Sequence, residues 1–409
     1  MNVLWLSHLV PYPPKGGVLQ RSYNLLREVS RYHQVTLIGF VQSDLISAMY
    51  SDLDVGMHDA VKHLRKFCDD IKFIEIPCEE RIHGKKILAS KSLFTATPYT
   101  INWLKSDRMH AVLRDVKKIK SFDVIHYDTI SLSPYLAEFP LSPKVLDHHN
   151  IESHMMARRA QHENNIIKKT YFYLESKKLL KYEKAVCNNY DRHITCSELD
   201  SDRLKDVDPS LTIDVIPNGV DTNYFSPKSD CCEPGTLIFA GGLSWYPNRD
   251  AMLYFARDIW PSLKVHLRGV VMNVVGKSPP SELVKLATID DNYRVHGFVD
   301  DVRGYIGRSE IYVCPIRDGG GTKLKILDAC AMGKAIVAHP NSCEGLDMKD
   351  NVDVMLASTP EEFVEKIVYL HNNKDIRIGL GNNARKLVVD KYSFTGIGKK
   401  LSDIYSSIG

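Results

Sequence analysis

The stretch Asp318–Ala338, DGGGTKLKILDACAMGKAIVA, concentrates residues able to hold a charged ligand. Gly319, Gly320 and Gly321 leave backbone N–H groups uncovered and free to take unusual dihedrals. Thr322 is placed as a helix N-cap, and Lys323–Met332 reads as a helix with Leu324, Leu327 and Ala331 turned to a core. Gly333 stops it, and Ala335–Ala338 begins a buried strand. A glycine loop feeding a helix N-terminus suits an anion, because bare donors and the positive dipole end both favour phosphate. Lys323, Lys325 and, from another strand end, Lys277 offer charge. Asp328, between Leu327 and Ala329, is expected to face a cleft where its carboxylate accepts from sugar hydroxyls. Such a loop can equally be a plain tight turn, so its neighbours must decide.

Asp147-His148-His149-Asn150 follows the apolar run Lys144–Leu146. Two histidines suggest a metal, but no second cluster at ligand spacing stands near them, and none is expected. One histidine bonding a substrate hydroxyl or a leaving group competes with a purely structural role. Gly16-Gly17, after the first strand, either lets an acceptor approach the backbone or simply turns the chain, with Arg21 one helical turn on. No Walker A lysine, GxSxG elbow or GxGxxG occurs, which weakens NTPase, esterase and dehydrogenase readings.

The elements that must position these residues alternate. Asn2–Ser7, a Pro/Gly loop, helix Gln20–Tyr32 and strand Gln34–Phe40 form a βαβ opening. Ile71–Ile76, Asp123–His126, Lys144–Leu146 and Asp191–Ser197 read as further strands, and polar strand ends lie at the carboxyl edge of a parallel sheet, where ligands bind. Ile151–Ala185 reads as one basic helix, more simply a solvated face. A second set follows: Thr236–Ala240 then Gly241-Gly242, helix Arg249–Trp260, Val270–Val275, Tyr293–His296 then Gly297-Phe298-Val299, and Ile311–Cys314. The expected division is 1–217 with about 392–409 packing back on it, a linker at 218–235, and 236–391.

The chain has 409 residues, which suits two domains of about 200. A hydrophobic share of 44%, a charged share of 25% and a net charge of +3 fit a soluble protein with no nucleic-acid partner. No run of about 18 apolar residues exists and the N-terminus lacks signal-peptide character, so a cytoplasmic protein is expected. The nine cysteines, without CxxC spacing, read as reduced thiols. Residues 81–120 carry ten Lys/Arg against Asp107 and Asp115, with Leu88, Leu93, Phe94, Tyr99, Ile101 and Trp103. That mixture suits peripheral contact with anionic lipid headgroups or an ordinary surface.

In order and spacing, PYPPKGG, VLDHHN, IPNGVDTNYF, FAGGLSWYPNRDA, VHGFVDDV and PIRDGGGTKLKILDACAMGKAIV resemble retaining GT-B glycosyltransferases of the family-four type. The likeness covers essentially the whole chain and is nearest the bacterial exopolysaccharide, capsule and lipopolysaccharide subgroup. It implies two Rossmann-like α/β domains facing across a cleft, with the C-terminal helix returning to the first. It also implies a UDP- or GDP-type sugar donor on the second half, without metal or other cofactor, and a glycan or lipid-linked acceptor on the first. The base would meet Gly297–Val299, the ribose Asp328, and the diphosphate the amides of Gly319–Lys323 near Gly241, Gly242 and Lys277. The acceptor would meet Gly16, Gly17, Arg21, His149 and Asn150. The family's paired glutamates fall here on Gly320 and Asp328, and its usual Arg and Lys on Gly242 and Pro247. Asp318 is then the candidate for the sugar hydroxyls, Lys323 for the missing positive charge, and His149 for the reacting centre. Rival readings are a GT-B epimerase and, because of Gly320, an inactive glycan-binding scaffold.

Overall fold

The computed structural model describes residues 1–15, 17–227, 232–319 and 322–409. Two compact units emerge: Met1–Pro217 with Ile397–Gly409, and Asn218–Gly396.

The first unit is built on seven parallel strands: β1 (Asn2–Ser7), β2 (Gln34–Val41), β3 (Asp70–Glu75), β4 (Val124–Tyr127), β5 (Lys144–His148), β6 (Arg192–Thr195) and β7 (Ile213–Val215). Their order is β3-β2-β1-β4-β5-β6-β7. The direction of winding reverses between β1 and β4, which opens a crevice at the carboxyl ends of those two strands. The C-terminal helix Phe394–Ile408 packs on this unit from Ile397 onward. There Tyr405 shares a 2.7 Å hydrogen bond with Nδ1 of His126, and Ser402 one of 2.6 Å with His33. His126 also stacks on Trp5 at 3.7 Å.

The second unit carries β8 (Thr236–Ala240), β9 (Val271–Val275), β10 (Tyr293–Gly297), β11 (Ile311–Cys314), β12 (Ala335–Ala338) and β13 (Met355–Leu356). Its order, β10-β9-β8-β11-β12-β13, repeats the same logic, with the switch between β8 and β11. Every residue of β8, β11 and β12 is buried. Parallel strands covered on both faces read as unbroken apolar runs, which is why the sequence located them.

Three elements differ from the sequence reading. The single helix over 151–185 is two, Glu152–His162 and Ile166–Val186, because the Asn165 side chain caps the second by accepting from the N–H groups of Ile167 and Lys168. The helix placed at 249–260 starts at Tyr246 and continues through a π-turn at Phe255–Ile259 to His266. The helix after the glycine loop runs Leu324–Ala331, so Lys323, not Thr322, is the cap residue.

Candidate functional site

In the second unit the carboxyl ends of three neighbouring strands are glycines joined through their backbones. Gly241 N–H donates to Val275 at 2.8 Å, and Gly276 N–H to Gly297 at 2.8 Å. A Cβ on Gly276 would lie 2.0 Å from the Gly241 carbonyl oxygen, so a side chain there would push the strand ends apart. This leaves a floor of backbone with Phe298 exposed at its rim and Lys277 exposed beside it. Lys277 also accepts, through its carbonyl, from Leu243 N–H at 2.9 Å, which fixes the turn through Gly242.

The loop after β11 closes onto the loop after β8. Gly319 has φ +102°, a left-handed-side conformation that favours glycine, and a Cβ there would meet Pro247 at 2.9 Å. Asp318 turns its carboxylate back to Gly319 N–H at 2.6 Å. Lys323 is 3% exposed and donates to the Gly319 carbonyl at 2.6 Å. It therefore holds the loop's shape. Gly320 and Gly321 lie outside the described residues, and Thr322 is half-buried.

The lysine that meets the floor is Lys325. Its ammonium reaches Asn248 Oδ1 and lies 5.3 Å from the Phe239 ring centroid and 5.4 Å from that of Trp245. A Cβ at Gly241 would come within 3.0 Å of Lys325 Cε. The lysine lies across a strand end that only glycine leaves open. Burial pulls its pKa down to about 8, with nearby Lys323 adding to the fall. Asp328 follows one turn later on the same helix. Burial pushes its carboxyl up to about 7, although Lys325 works the other way. The sequence singled out Asp328 and offered Lys325 only as one of three possible charges, giving the role to Lys323. The signal was present: Lys325 and Asp328 are three apart and share a helix face, whereas Lys323 does not share it.

In the first unit the switch point gathers residues from three strand ends. Asp128, just past β4, is wholly buried and accepts from Ser7 at 3.1 Å and Ser22 at 3.1 Å. Its oxygens also meet Nδ1 of His8 at 3.1 Å and Nε2 of His149 at 2.9 Å. Burial alone would raise its pKa, but the two imidazoles reverse that and hold it well below the carboxylate range. Burial likewise opposes a charged His149, yet the Asp128 charge and hydrogen bond win and its pKa is raised above 6.5. The raised imidazole contributes stability in full below 6.5, lost as pH rises through its folded value. The depressed Asp128 contributes above 3.8, and that gain is lost as pH falls. In Asp128→Asn the burial penalty on His149 stays while the charge goes. Its pKa is expected to drop below 6.5 in an NMR titration of the imidazole carbons. A His149 still titrating above that value would refute the account.

His8 and Asp128 escaped the sequence reading, although both directly follow strands, the rule already applied to Asp147–Asn150. Glu152 escaped it too: burial and neighbouring Glu183 push its carboxyl up to about 7, within electrostatic reach of His149. Arg21, expected beside the acceptor, is instead buried. It pairs with both oxygens of Asp147, at 3.1 and 2.9 Å, and donates to the carbonyls of Ile216 at 2.9 Å and Pro217 at 3.2 Å. It fastens the helix Gly17–Val29 to β5 and to the chain beyond β7. His126 belongs to the core, where burial lowers it to about 4. Gly17 is exposed and Asn150 half-buried, while Gly16 lies outside the described residues.

The Asp147-His148-His149 run does not act as one ligand set. Asp147 is taken by Arg21 and His149 by Asp128, while His148 bonds His193 at 3.0 Å beside Cys187. His8, Asp128 and His149 do bring possible ligand atoms within 4.8 Å of one another. Hydrogen bonds account for that closeness.

Residues 15–224 match the family model described as Glycosyltransferase Family 4, and residues 234–373 that of Glycosyl transferases group 1. The chain is 25% identical over 188 residues to an uncharacterized glycosyltransferase of Methanocaldococcus jannaschii, an alignment spanning 42% of this chain and 45% of that protein. It is 21% identical over 290 residues to an uncharacterized 44.6 kDa protein in the cps region of Klebsiella pneumoniae, spanning 68% of this chain and 73% of that one. Anabaena HepE, solved in complex with UDP, superimposes with a TM-score of 0.65 at 14% identity over 100% of both chains. That likeness speaks for the fold, which is GT-B, with two Rossmann-like units each on a parallel sheet.

Proposed function

We propose that this chain, a glycosyltransferase belonging to Glycosyltransferase Family 4, moves a sugar from a nucleoside-diphosphate donor to a glycan or lipid-linked acceptor in cell-surface polysaccharide synthesis, with retention of configuration. The observation that carries the reading is the Lys325–Asp328 pair set beside a glycine floor at the switch point of the second unit. HepE's complexes with UDP and UDP-glucose support a UDP-type donor. The cps-region relative supports a polysaccharide product.

In this reading the base lies along Gly297–Val299, Asp328 accepts from the ribose, and the diphosphate rests on backbone donors from Gly320 to Lys323. Lys325 supplies the positive charge, Lys323 keeps the loop in shape, and Asp318 is the carboxylate nearest the sugar hydroxyls. The bond from the anomeric carbon to the diphosphate breaks, negative charge develops on the departing oxygen, and fixed donors stabilise it better than reorienting water would. The acceptor hydroxyl oxygen attacks from the face the diphosphate leaves and passes its proton to the departing phosphate oxygen, so that the O–H and the anomeric C–O bonds break as the new glycosidic bond forms. On the first unit, Gly17, Asn150 and the His149–Asp128–His8 group meet the acceptor.

Donor affinity should follow a bell-shaped pH profile. Asp328 must be ionised to accept from the ribose, so binding weakens as pH falls through about 7. Lys325 must be charged, so binding weakens as pH rises through about 8. The two groups interact, so the limits belong to the pair. Calorimetric titration of nucleotide against pH reads this directly, and Asp328→Asn should abolish the acid limb. Affinity that stays level through both values would sink the assignment.

The reading as a whole is tested by a thermal-shift screen of UDP and GDP sugars. One donor should raise the melting temperature and be slowly hydrolysed without acceptor. A shift with none of them would remove the proposal, and binding without hydrolysis or transfer would indicate an inactive glycan-binding protein.

A further inference from the structure

The basic segment 81–120 does not present its apolar residues as a block. Ile101 is fully buried, and Trp103 donates its indole N–H to Glu79 at 3.2 Å. Apart from Ile119, its exposed large apolar residues gather at the start of the segment, Ile82, Ile87, Leu93 and Phe94, on and beside the helix Gly84–Leu93. Ile87, Lys91 and Phe94 recur at i, i+4 and i+7 and so share one face. All three are exposed, Phe94 at 92%. No Asp or Glu occurs in that helix.

The long helix Ile166–Val186 adjoins it. Lys178 donates to the carbonyls of Ser92 at 2.7 Å and Leu93 at 2.8 Å, capping the shorter helix at its negative end. Leu174, one turn before Lys178, and Ile167, two turns before Leu174, extend the same face away from that junction. Ile166 and Tyr173 run alongside, and all four are exposed, Ile167 at 78%. Lys177, Lys181 and Lys184 continue this face towards the helix C-terminus and are exposed as well. The helix's two acids point the other way. Glu175 is buried against the Thr100 N–H at 3.2 Å, and Glu183 against the Ser153 N–H at 3.0 Å.

We propose that this joint surface, centred on Phe94 and Ile167, docks the first unit onto an anionic lipid bilayer. The reason is the combination. Large side chains left in water favour an apolar phase, while a lysine-rich surround, with no outward acid on either helix and Asp44 paired to Lys85 at 2.7 Å, favours a negative one. A protein partner or a second copy could offer apolar cover, and the test below separates them from lipid. Among the described residues no helix is long and apolar enough to cross a membrane, so the contact is superficial. Phe94, Ile166 and Ile167 would enter the headgroup boundary. The lysines would sit against lipid phosphates.

The test is co-sedimentation of the full chain with vesicles of phosphatidylcholine alone or with added phosphatidylglycerol. Binding is expected only to the anionic vesicles. It should fall about ten-fold or more when salt is raised to about 0.5 M, or in Lys177→Glu/Lys181→Glu. Phe94→Asp/Ile167→Asp should abolish it, with an unchanged melting temperature and unchanged donor hydrolysis, since neither residue belongs to the sugar site. Equal binding to both vesicle types, no binding, or binding unaffected by these variants would overturn the proposal. So would a dimer in sedimentation velocity that these variants dissolve. The surface is independent of the sugar chemistry, so failure here leaves the donor reading intact.

Discussion

Lys325→Met should lower kcat for sugar transfer by roughly 100- to 1,000-fold, the usual cost of removing one fixed donor from a developing oxyanion. The size follows from position. Lys325 is half-buried between Phe239 and Trp245, where its charge is screened less than a surface charge in bulk water would be. Methionine fills a similar volume among aromatic rings, so the melting temperature of the free protein should change little. The rise in melting temperature caused by the nucleotide donor should largely vanish. Lys323→Met should differ in kind. Its ammonium holds the Gly319 carbonyl, so the loss should show first as a less stable loop and a weaker KM. Near-normal turnover in Lys325→Met, with strong loss in Lys323→Met, would return the diphosphate to Lys323. Steady-state kinetics on the two variants decides between them.

The largest stability effect is expected at Arg21. Arg21→Met removes at least four donor contacts at once: two to Asp147 and one each to the carbonyls of Ile216 and Pro217. Asp147 is wholly buried and would lose the cation that compensates its burial. Breaking a buried pair from one side costs about 3–5 kcal/mol. Urea denaturation should therefore show a midpoint shifted down by that amount in free energy. Arg21→Met/Asp147→Asn should recover a large part of it, because the uncompensated charge is gone. A single variant within about 0.5 kcal/mol of the parent, the range of neutral surface changes, would show that Arg21 is not the fastening it is described as.

Much of the fold is legible before any coordinates. β11 is found at its observed bounds, and β12 from its first residue, because strands buried on both faces are continuous apolar runs bounded by charged residues or proline. The GT-B architecture follows from two such series and from the motifs carried between them. Elements fixed by one side chain are less visible. The break between Glu152–His162 and Ile166–Val186 depends on Asn165 capping two N–H groups, and no change in composition announces it.

At the candidate sites the division is sharper. The sequence by itself determined the chemistry on offer and its address: glycines, lysines and Asp328 at one set of strand ends, histidines and aspartates at another. Those positions follow from local periodicity and from the rule that parallel strands present their carboxyl ends to ligands. Only the tertiary structure decided which of two lysines, two residues apart, faces the glycine floor. Lys323 turns to its own loop, while Lys325 turns to Asn248 and past Gly241, residues more than seventy positions earlier. It likewise separated Asp147, His148 and His149, neighbours in sequence, by assigning them to Arg21, His193 and Asp128. The physical reason is the same in each case. A side chain's role is set by the partner that compensates its burial, and that partner comes from elsewhere in the chain.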